Sequence, residues 1–514
     1  MVSEGRRRAL QQTARLSLLW FRYDLRVDDH PALTAAYHAS KGRVVPVFII
    51  DPRDLEPNEL GWPGLGYQRA LFLIECLTDL RSKLKRLGSD LIMLRGESER
   101  ALVSFAERVG AAQVYTHEAM SAKEGTRVDI VRRALEREGV ELSALEGPTL
   151  YHRSRTPFRE DLSDLPRDFL SFRRALERSS APRPPELPIP KLLPLPIGVS
   201  PGKLPTVGEL GHELVKPDSR AELKWIGGEA QALKRLKAVI WERELLDHCH
   251  SKRRALSGEG TRPHLASWLN FGCLSPRRVW YEALAFEAKR GQSLGVYQLI
   301  YHLTSRDFLI FHAQRGRYAL YDEAGLFPEE GSSPPPIAPQ LFEAWWRGYT
   351  GFPLVDACMR SLAATGTLSP QGRLIAASFF VKQLGLSWRL GALCFESMLR
   401  DYCPAITWGW FQSLKGLGPE FSEPAVHPVW AGKTLDWEGS FVKRWVPELA
   451  NLPSEALYEP YILDEQWQAH FGIQLGVTYP YPIVAPPPPP IPGAPARQRL
   501  LERVWQRFPP QQGS

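Results

Sequence analysis

Residues 16–31 read LSLLWFRYDLRVDDHP: an unbroken apolar run that ends in a loop carrying three aspartates, two arginines and a histidine. A short apolar run without alternation, cut off by charge, predicts a strand buried on both faces. Similar runs stand at 44–50 (VVPVFII), 91–94 (LIML) and around 113–115 (QVY). Between the second and third, Leu73, Leu77, Leu80, Leu84 and Leu87 recur at three- and four-residue intervals within 66–87. That period predicts a helix with one buried face. Strand–helix alternation of this kind predicts a doubly wound α/β domain with a parallel sheet over residues 16–150. Ligands of such domains bind beyond the carboxyl ends of the strands, so the loop 22–31 is placed to line that crevice. The loop also reads as a polar turn capping the next helix.

On either side the pattern changes. Residues 1–15 read as a basic tail. Residues 151–226 read as an interdomain linker, so rich in proline over 181–205 that neither helix nor sheet interior is expected there. From 227 to 455 helical periodicity prevails, clearest at 228–246, 276–289, 294–312, 353–365, 373–384 and 388–401. Tryptophans gather in this part, and core packing is their default reading. Residues 456–495 read as a proline-rich extended arm, with five consecutive prolines at 486–490. Beyond it, 496–508 (ARQRLLERVWQRF) reads as an amphipathic basic helix, suited either to a partner or to the chain's own body.

The composition is that of a folded chain, with 44% hydrophobic and 24% charged residues. Most of the net charge of +7 sits at the two ends, so composition does not argue for a nucleic-acid binder. The six cysteines are scattered, without metal-ligand spacing, which predicts free thiols in a reducing compartment. No apolar run reaches the ~18 residues of a membrane span. Phosphate-loop, zinc-helix, dinucleotide and nucleophile-elbow motifs are missing from the sequence, which leaves hydrolase, ATPase and zinc chemistry without support.

Three longer stretches are more specific: LWFRYDLRVDDHPAL (19–33), WLNFGCLSPR (268–277) and TGFPLVDACMRSLAATG (350–366). In this order and at these distances they resemble the photolyase/cryptochrome family. TLYH (149–152), DLP (164–166), WIGGE (225–229) and LGLSWR (384–389) resemble its DASH branch. The resemblance implies a Rossmann/flavodoxin-like α/β domain followed by an all-helical photolyase-type domain. It also implies an FAD cofactor, a folate-type antenna, a tryptophan relay, and either blue-light sensing or repair of pyrimidine dimers in single-stranded DNA. Carried over by position, it implies flavin contacts at Arg306, Asp307, Arg373 and Asp401, with Trp388 as an electron relay. Glu118 falls on the antenna carboxylate and Arg253 on a residue of the DNA groove.

Other matching positions carry different residues. The family's phosphate-binding hydroxyls fall on Arg262, Pro263 and Ala266, and a tyrosine contact falls on Cys249. The dimer-contacting glutamate is His302, and its neighbouring tryptophan is Ser305. Thr367, Pro370 and Gln371 replace a stacking aromatic and an Asn–Arg pair, Cys403 and Thr407 replace flavin-facing Asp and Asn, and Phe411 replaces the proximal relay tryptophan. A lost hydrogen bond to a charged or buried group costs roughly 1.5–3 kcal/mol. These replacements predict weakened flavin and DNA binding, and so a non-repairing scaffold in a light-related context that docks a protein partner through 485–514. The alternatives are a blue-light FAD receptor and, last, an active photolyase. The expected place is the cytoplasm or an organelle stroma or matrix.

Overall fold

The computed structural model describes residues 15–221, 225–242, 245–252, 254–329, 335–421 and 426–486. Five parallel strands, β1 (Ser17–Phe21), β2 (Val44–Ile50), β3 (Ile92–Arg95), β4 (Gln113–His117) and β5 (Glu141–Leu145), lie in the order β3-β2-β1-β4-β5. β1 and β2 are buried at every residue, as their unbroken apolar runs require. The strand order reverses between β1 and β4, so the loops after these two strands flank the switch point where an α/β sheet opens its ligand crevice. One face of the sheet packs on the helices Ser98–Val109 and Ala122–Arg137. Its other face shares a core with residues as distant as Val296 and Phe311, so sheet and helical domain are joined by apolar burial.

The proline-rich stretch runs extended along the sheet's edge. Met93 of the edge strand β3 donates its backbone N–H to the Pro201 carbonyl at 2.8 Å, and Leu192 N–H reaches the Leu87 carbonyl at 2.7 Å. The region 151–226 is not linker throughout, however. It contains the helix Phe169–Ser179, whose Phe169, Phe172 and Leu176 are buried at helical spacing.

The helical domain is built around the helices Leu294–Gly316, Pro353–Thr365, Trp388–Met398 and Pro404–Lys415. The expected arm at 456–495 is corrected over its described part. The helices Ser454–Leu457 and Glu465–Phe471 fold onto the domain, and Tyr458, Trp467 and Tyr479 are buried. Tyr479 Oη donates to Asp356 Oδ2 at 2.5 Å, and Ile483 N–H bonds the Thr350 carbonyl. Pro460 sits at a helix entrance, where a missing N–H costs nothing. The tail 1–14, and residues 487–514 with the expected helix 496–508, lie outside the described residues. Among the described residues no helix is long and apolar enough to cross a membrane.

Candidate functional site

Two places have the chemistry of a site. The first is the switch point. Here the turn around Gly272 is driven against the loop after β1: a Cβ on Gly272 (φ +67°) would lie 2.1 Å from the Tyr23 carbonyl oxygen. The loop residues are spent on holding the two domains together. Buried Asp29 accepts from Ser275 and, at 2.6 and 3.0 Å, from Arg277, while Arg278 forks onto Asp28 at 2.7 and 2.9 Å. Glu229, from the WIGGE stretch, accepts the backbone N–H groups of Val27 and Asp28 and pairs with Lys83 at 2.9 Å. What remains of the crevice, lined by Arg22, Asp24, His117 and Glu118 among others, is about 10 Å3. That is room for about one water.

Glu118, the position expected for the antenna carboxylate, lines this crevice and pairs with Arg153 at 3.2 Å. Next to it, burial and the Glu118 charge push Glu146 up to about 8.

Asp24, His30 and His117 also meet at this seam, with His30 Nε2 and His117 Nδ1 at 3.2 and 3.1 Å from the same Asp24 oxygen. The trio has the spacing of metal ligands, but its proton arrangement opposes a metal. His30 Nδ1 accepts the Leu33 N–H at 3.0 Å, so it is the Nε2, 3.2 Å from Asp24 Oδ2, that carries the proton. Burial, reinforced by His30, pushes His117 down to about 3. Burial alone would raise Asp24, yet its contacts with His117 and His30 hold it well below the usual carboxylate range. The cluster is an anion held by two neutral rings.

The second place is a cavity of about 930 Å3 in the helical domain. Its walls come from the segment 246–270, the helix Leu294–Gly316, residues 361–373 and the start of the helix Pro404–Lys415. Nearly all the replaced positions meet here: Cys249, Arg262, Pro263, Ala266, His302, Ser305, Thr367, Pro370, Gln371 and Thr407 line one lumen. Two do not. Cys403 is buried at the entrance of the helix Pro404–Lys415, off the wall, and Phe411 is buried against Phe395, a wall residue. Cys403 is thus corrected: it precedes a helix, and its side chain turns into the core.

Arg373 and Asp401 are paired on the wall, one guanidinium nitrogen lying 2.7 Å from both carboxylate oxygens. Arg306 lines the cavity but is held by the carbonyls of Pro148 and Leu269. Asp307 is not its partner and is off the wall. It accepts the backbone N–H groups of Leu150 and Tyr151 at 3.1 and 2.8 Å, tying the segment after β5 to the helix. Adjacent helix positions point about 100° apart, so one faces the lumen and the other the interdomain seam. Trp388 is buried and off the wall, in edge-to-face contact with Trp408 at 5.8 Å. Arg253 lies outside the described residues.

Trp410 stands on the wall, and sequence reasoning missed Arg220, Arg254 and Arg444, which line the same cavity. Only the scattered basic residues of these segments hinted at them.

The electrostatics of the wall are uneven. His302 opens onto the lumen; burial and the Arg262 charge push its ring below the ordinary histidine value, so it is neutral near pH 7. Burial and neighbouring Arg373 push Arg262 down to about 10. Its one hydrogen bond goes to the Ala255 carbonyl, and among the described residues it has no carboxylate partner. A volume near the top of the ~300–1,000 Å3 range of ligand pockets suits a dinucleotide. An unneutralised guanidinium, a paired arginine and wall hydroxyls suit its phosphates and polar ring edges, so the residues present fit FAD.

Comparison with known proteins agrees with this geometry. Residues 17–191 match the family described as DNA photolyase, and residues 297–487 match the FAD binding domain of DNA photolyase. The cryptochrome DASH of Gloeobacter violaceus is 38% identical over 470 residues, 91% of this chain and 92% of that protein. The cryptochrome DASH of Xenopus laevis is 35% identical, over 92% and 90% of the two chains. The crystal structure of the Synechocystis cryptochrome superposes with a TM-score of 0.87 at 32% identity, over 91% of this chain and 96% of that one. A folded cavity of dinucleotide size behind a five-stranded parallel sheet, in a chain this similar to DASH cryptochromes, places the protein in the photolyase/cryptochrome family.

Proposed function

We propose that the protein is a DASH-type flavoprotein that binds FAD in the helical-domain cavity and responds to blue light without repairing pyrimidine dimers. The observation that carries this reading is the lumen itself. Despite ten replaced side chains on its wall it keeps about 930 Å3, with Arg373 and Asp401 paired on that wall. A scaffold freed from its cofactor has no physical reason to keep so large a void, since an empty cavity forfeits packing energy. Against repair stand His302 and Thr367: the first offers a flipped base no carboxylate and the second no stacking aromatic.

When bound, the flavin supplies blue-light absorption and one-electron chemistry. The chain's own part is to hold and orient it. Arg373, fixed by Asp401 and by the Leu368 carbonyl, presents a rigid cation, and Thr407 presents a hydroxyl. Trp410 brings an oxidisable indole to the lumen, and Trp388, Trp408 and Tyr321 form a second aromatic file with centroid spacings of 5.8 and 5.0 Å.

The test is spectroscopic. The purified chain should carry bound FAD with blue and near-ultraviolet bands that bleach under blue light. It should leave cyclobutane dimers in single-stranded oligonucleotides unrepaired. A chain that stays colourless after expression with excess flavin refutes the cofactor, and light-dependent dimer repair refutes the second half of the proposal.

A further inference from the structure

We infer that Asp307, which lies behind the cavity wall, is a positioning residue: by gripping the segment 147–151 it sets the guanidinium of Arg306 on that wall and so tunes how tightly the cavity holds its ligand. That the ligand is a flavin nucleotide rests on the reading above.

The inference starts from a continuous run of hydrogen bonds. Asp307 is fully buried, and its two carboxylate oxygens take one backbone N–H each, from Leu150 at 3.1 Å and Tyr151 at 2.8 Å. Two residues before Leu150, the Pro148 carbonyl accepts from Arg306. Asp307 and Arg306 therefore hold the same short segment, one by its N–H groups and the other by a carbonyl. Arg306 also donates to Asn270 Oδ1 and the Leu269 carbonyl, both at 3.4 Å, and Asn270 donates to the Asp401 carbonyl at 2.5 Å. Asp401 in turn fixes Arg373. Arg306, Asn270, Asp401 and Arg373 all line the lumen, so the chain of bonds runs from a buried carboxylate to two arginines of the wall. The other end of the segment is anchored in the α/β domain. Arg26 reaches the Gly147 carbonyl at 3.4 Å, and a Cβ on Gly147 would lie 2.6 Å from the His117 ring. A segment pinned there has little slack. The donors of a planar guanidinium point in fixed directions, so moving the Pro148 acceptor turns the whole group.

The grip depends on charge, because a carboxylate accepts N–H bonds better than a neutral acid does. Burial pushes Asp307 up to about 7, against the pull of Tyr151 N–H, Arg306 and Leu150 N–H. Facing it are Arg306 on its own helix and Tyr151 on the segment, whose hydroxyl is pushed up to about 12 by burial and the Asp307 charge. Glu177 and Arg173, from the helix Phe169–Ser179, act on that tyrosine. Just before the segment, Glu146 is pushed up to about 8 and accepts the Arg153 N–H at 3.0 Å, with His152, Arg153 and Glu118 around it. Asp307 is ionised above about pH 7, so its grip tightens as the pH rises through that value and slackens below it.

Dissociation constants of FAD are measured from pH 6 to 8.5 on the full-length wild type, D307N, R306K, the double variant and E146Q. Amide exchange at Leu150 and Tyr151, corrected for its intrinsic pH dependence, is measured on the same proteins without ligand. In the wild type FAD should weaken by ~5–10-fold between pH 8 and 6, as one group titrating near 7 requires. D307N should lose this dependence and E146Q should keep it. The two amides should exchange ~10–100-fold faster in D307N. At pH 8 the double variant should bind FAD no more weakly than R306K, because Asp307 acts through Arg306; a merely structural tie gives losses that add. A wild type that takes up no FAD refutes the flavin reading, and the coupling is then read from the exchange rates of the same proteins. Losses that add, or a pH dependence that survives in D307N, overturn the inference. Melting curves show whether each variant folds; if D307N does not, R306K, which should flatten the same pH profile, carries the test.

Discussion

At the seam between the domains, three carboxylates are each matched by a cation: Asp29 with Arg277, Asp28 with Arg278, Glu229 with Lys83. On the cavity wall, 930 Å3 of lumen faces an arginine, Arg262, with no acid partner among the described residues. Both regions carry polar residues in the same kind of interior, and the difference lies in whether the protein supplies the counter-charge. Where it does, the charges fasten two domains and leave about 10 Å3 at the switch point. Where it does not, a ligand must. Pairing, rather than the presence of charge, separates a clasp from a site.

The sharpest way to break this contrast is at the clasp. Asp29→Ala leaves Arg277 buried without its partner and should cost about 3–5 kcal/mol of stability in urea unfolding. A loss below about 1 kcal/mol would mean the seam is not held by this pair.

Acid should attack the same region through its neutral rings. Burial pushes His117 and His312 down to about 3, and the His312 ring faces the Pro166 carbonyl at 3.0 Å. In the unfolded chain both titrate near 6.5, so below that pH the unfolded state takes up protons that the folded state refuses. Their contribution is therefore complete above about pH 6.5 and declines as the pH falls toward 3, by about 1.4 kcal/mol per pH unit for each ring. Glu146, pushed up to about 8, adds a slope of the opposite sign over this range, so the test is a difference: between pH 7 and 5 the loss of unfolding free energy should be smaller in His312→Gln than in wild type by one ring's share. An unchanged slope in that variant would remove His312 from the account.

The smallest effect is expected on the wall. Without ligand, Arg262→Gln removes an unpaired cation, so its unfolding free energy should lie within about 0.5 kcal/mol of wild type or above it. A loss comparable to that of Asp29→Ala would show that Arg262 has an internal partner and would erase the contrast.

Much of the fold was legible because buried strands and one-faced helices write their periods into the chain; residues 353–365 were bounded at both ends by proline and glycine and matched the observed helix. β5 was missed because ELSAL is short and only one of its residues is buried. The arm was misread because its proline content masked the short helix Glu465–Phe471 and the buried Tyr458, Trp467 and Tyr479, and because Pro460 at a helix entrance looks, in sequence, like a proline in a rod. At the site, positions could be counted along a resemblance but directions could not. Arg306 and Asp307 are neighbours in sequence and face different compartments, and Cys403 turned out to lie behind the wall. The clasp was invisible because loop 22–31 finds Glu229, Arg277 and Arg278 some two hundred residues away, a separation no local pattern reports.

The hydrogen bond from Met93 to Pro201 gives the proline-rich stretch a protective duty as well as a connecting one. A strand at the rim of a sheet is a template for pairing with foreign chains, and proline makes a safe cover because it cannot extend the ladder outward. A protease cut within 181–205 would therefore do more than loosen a tether: it would uncover β3 and turn a covered sheet edge into a seed for aggregation.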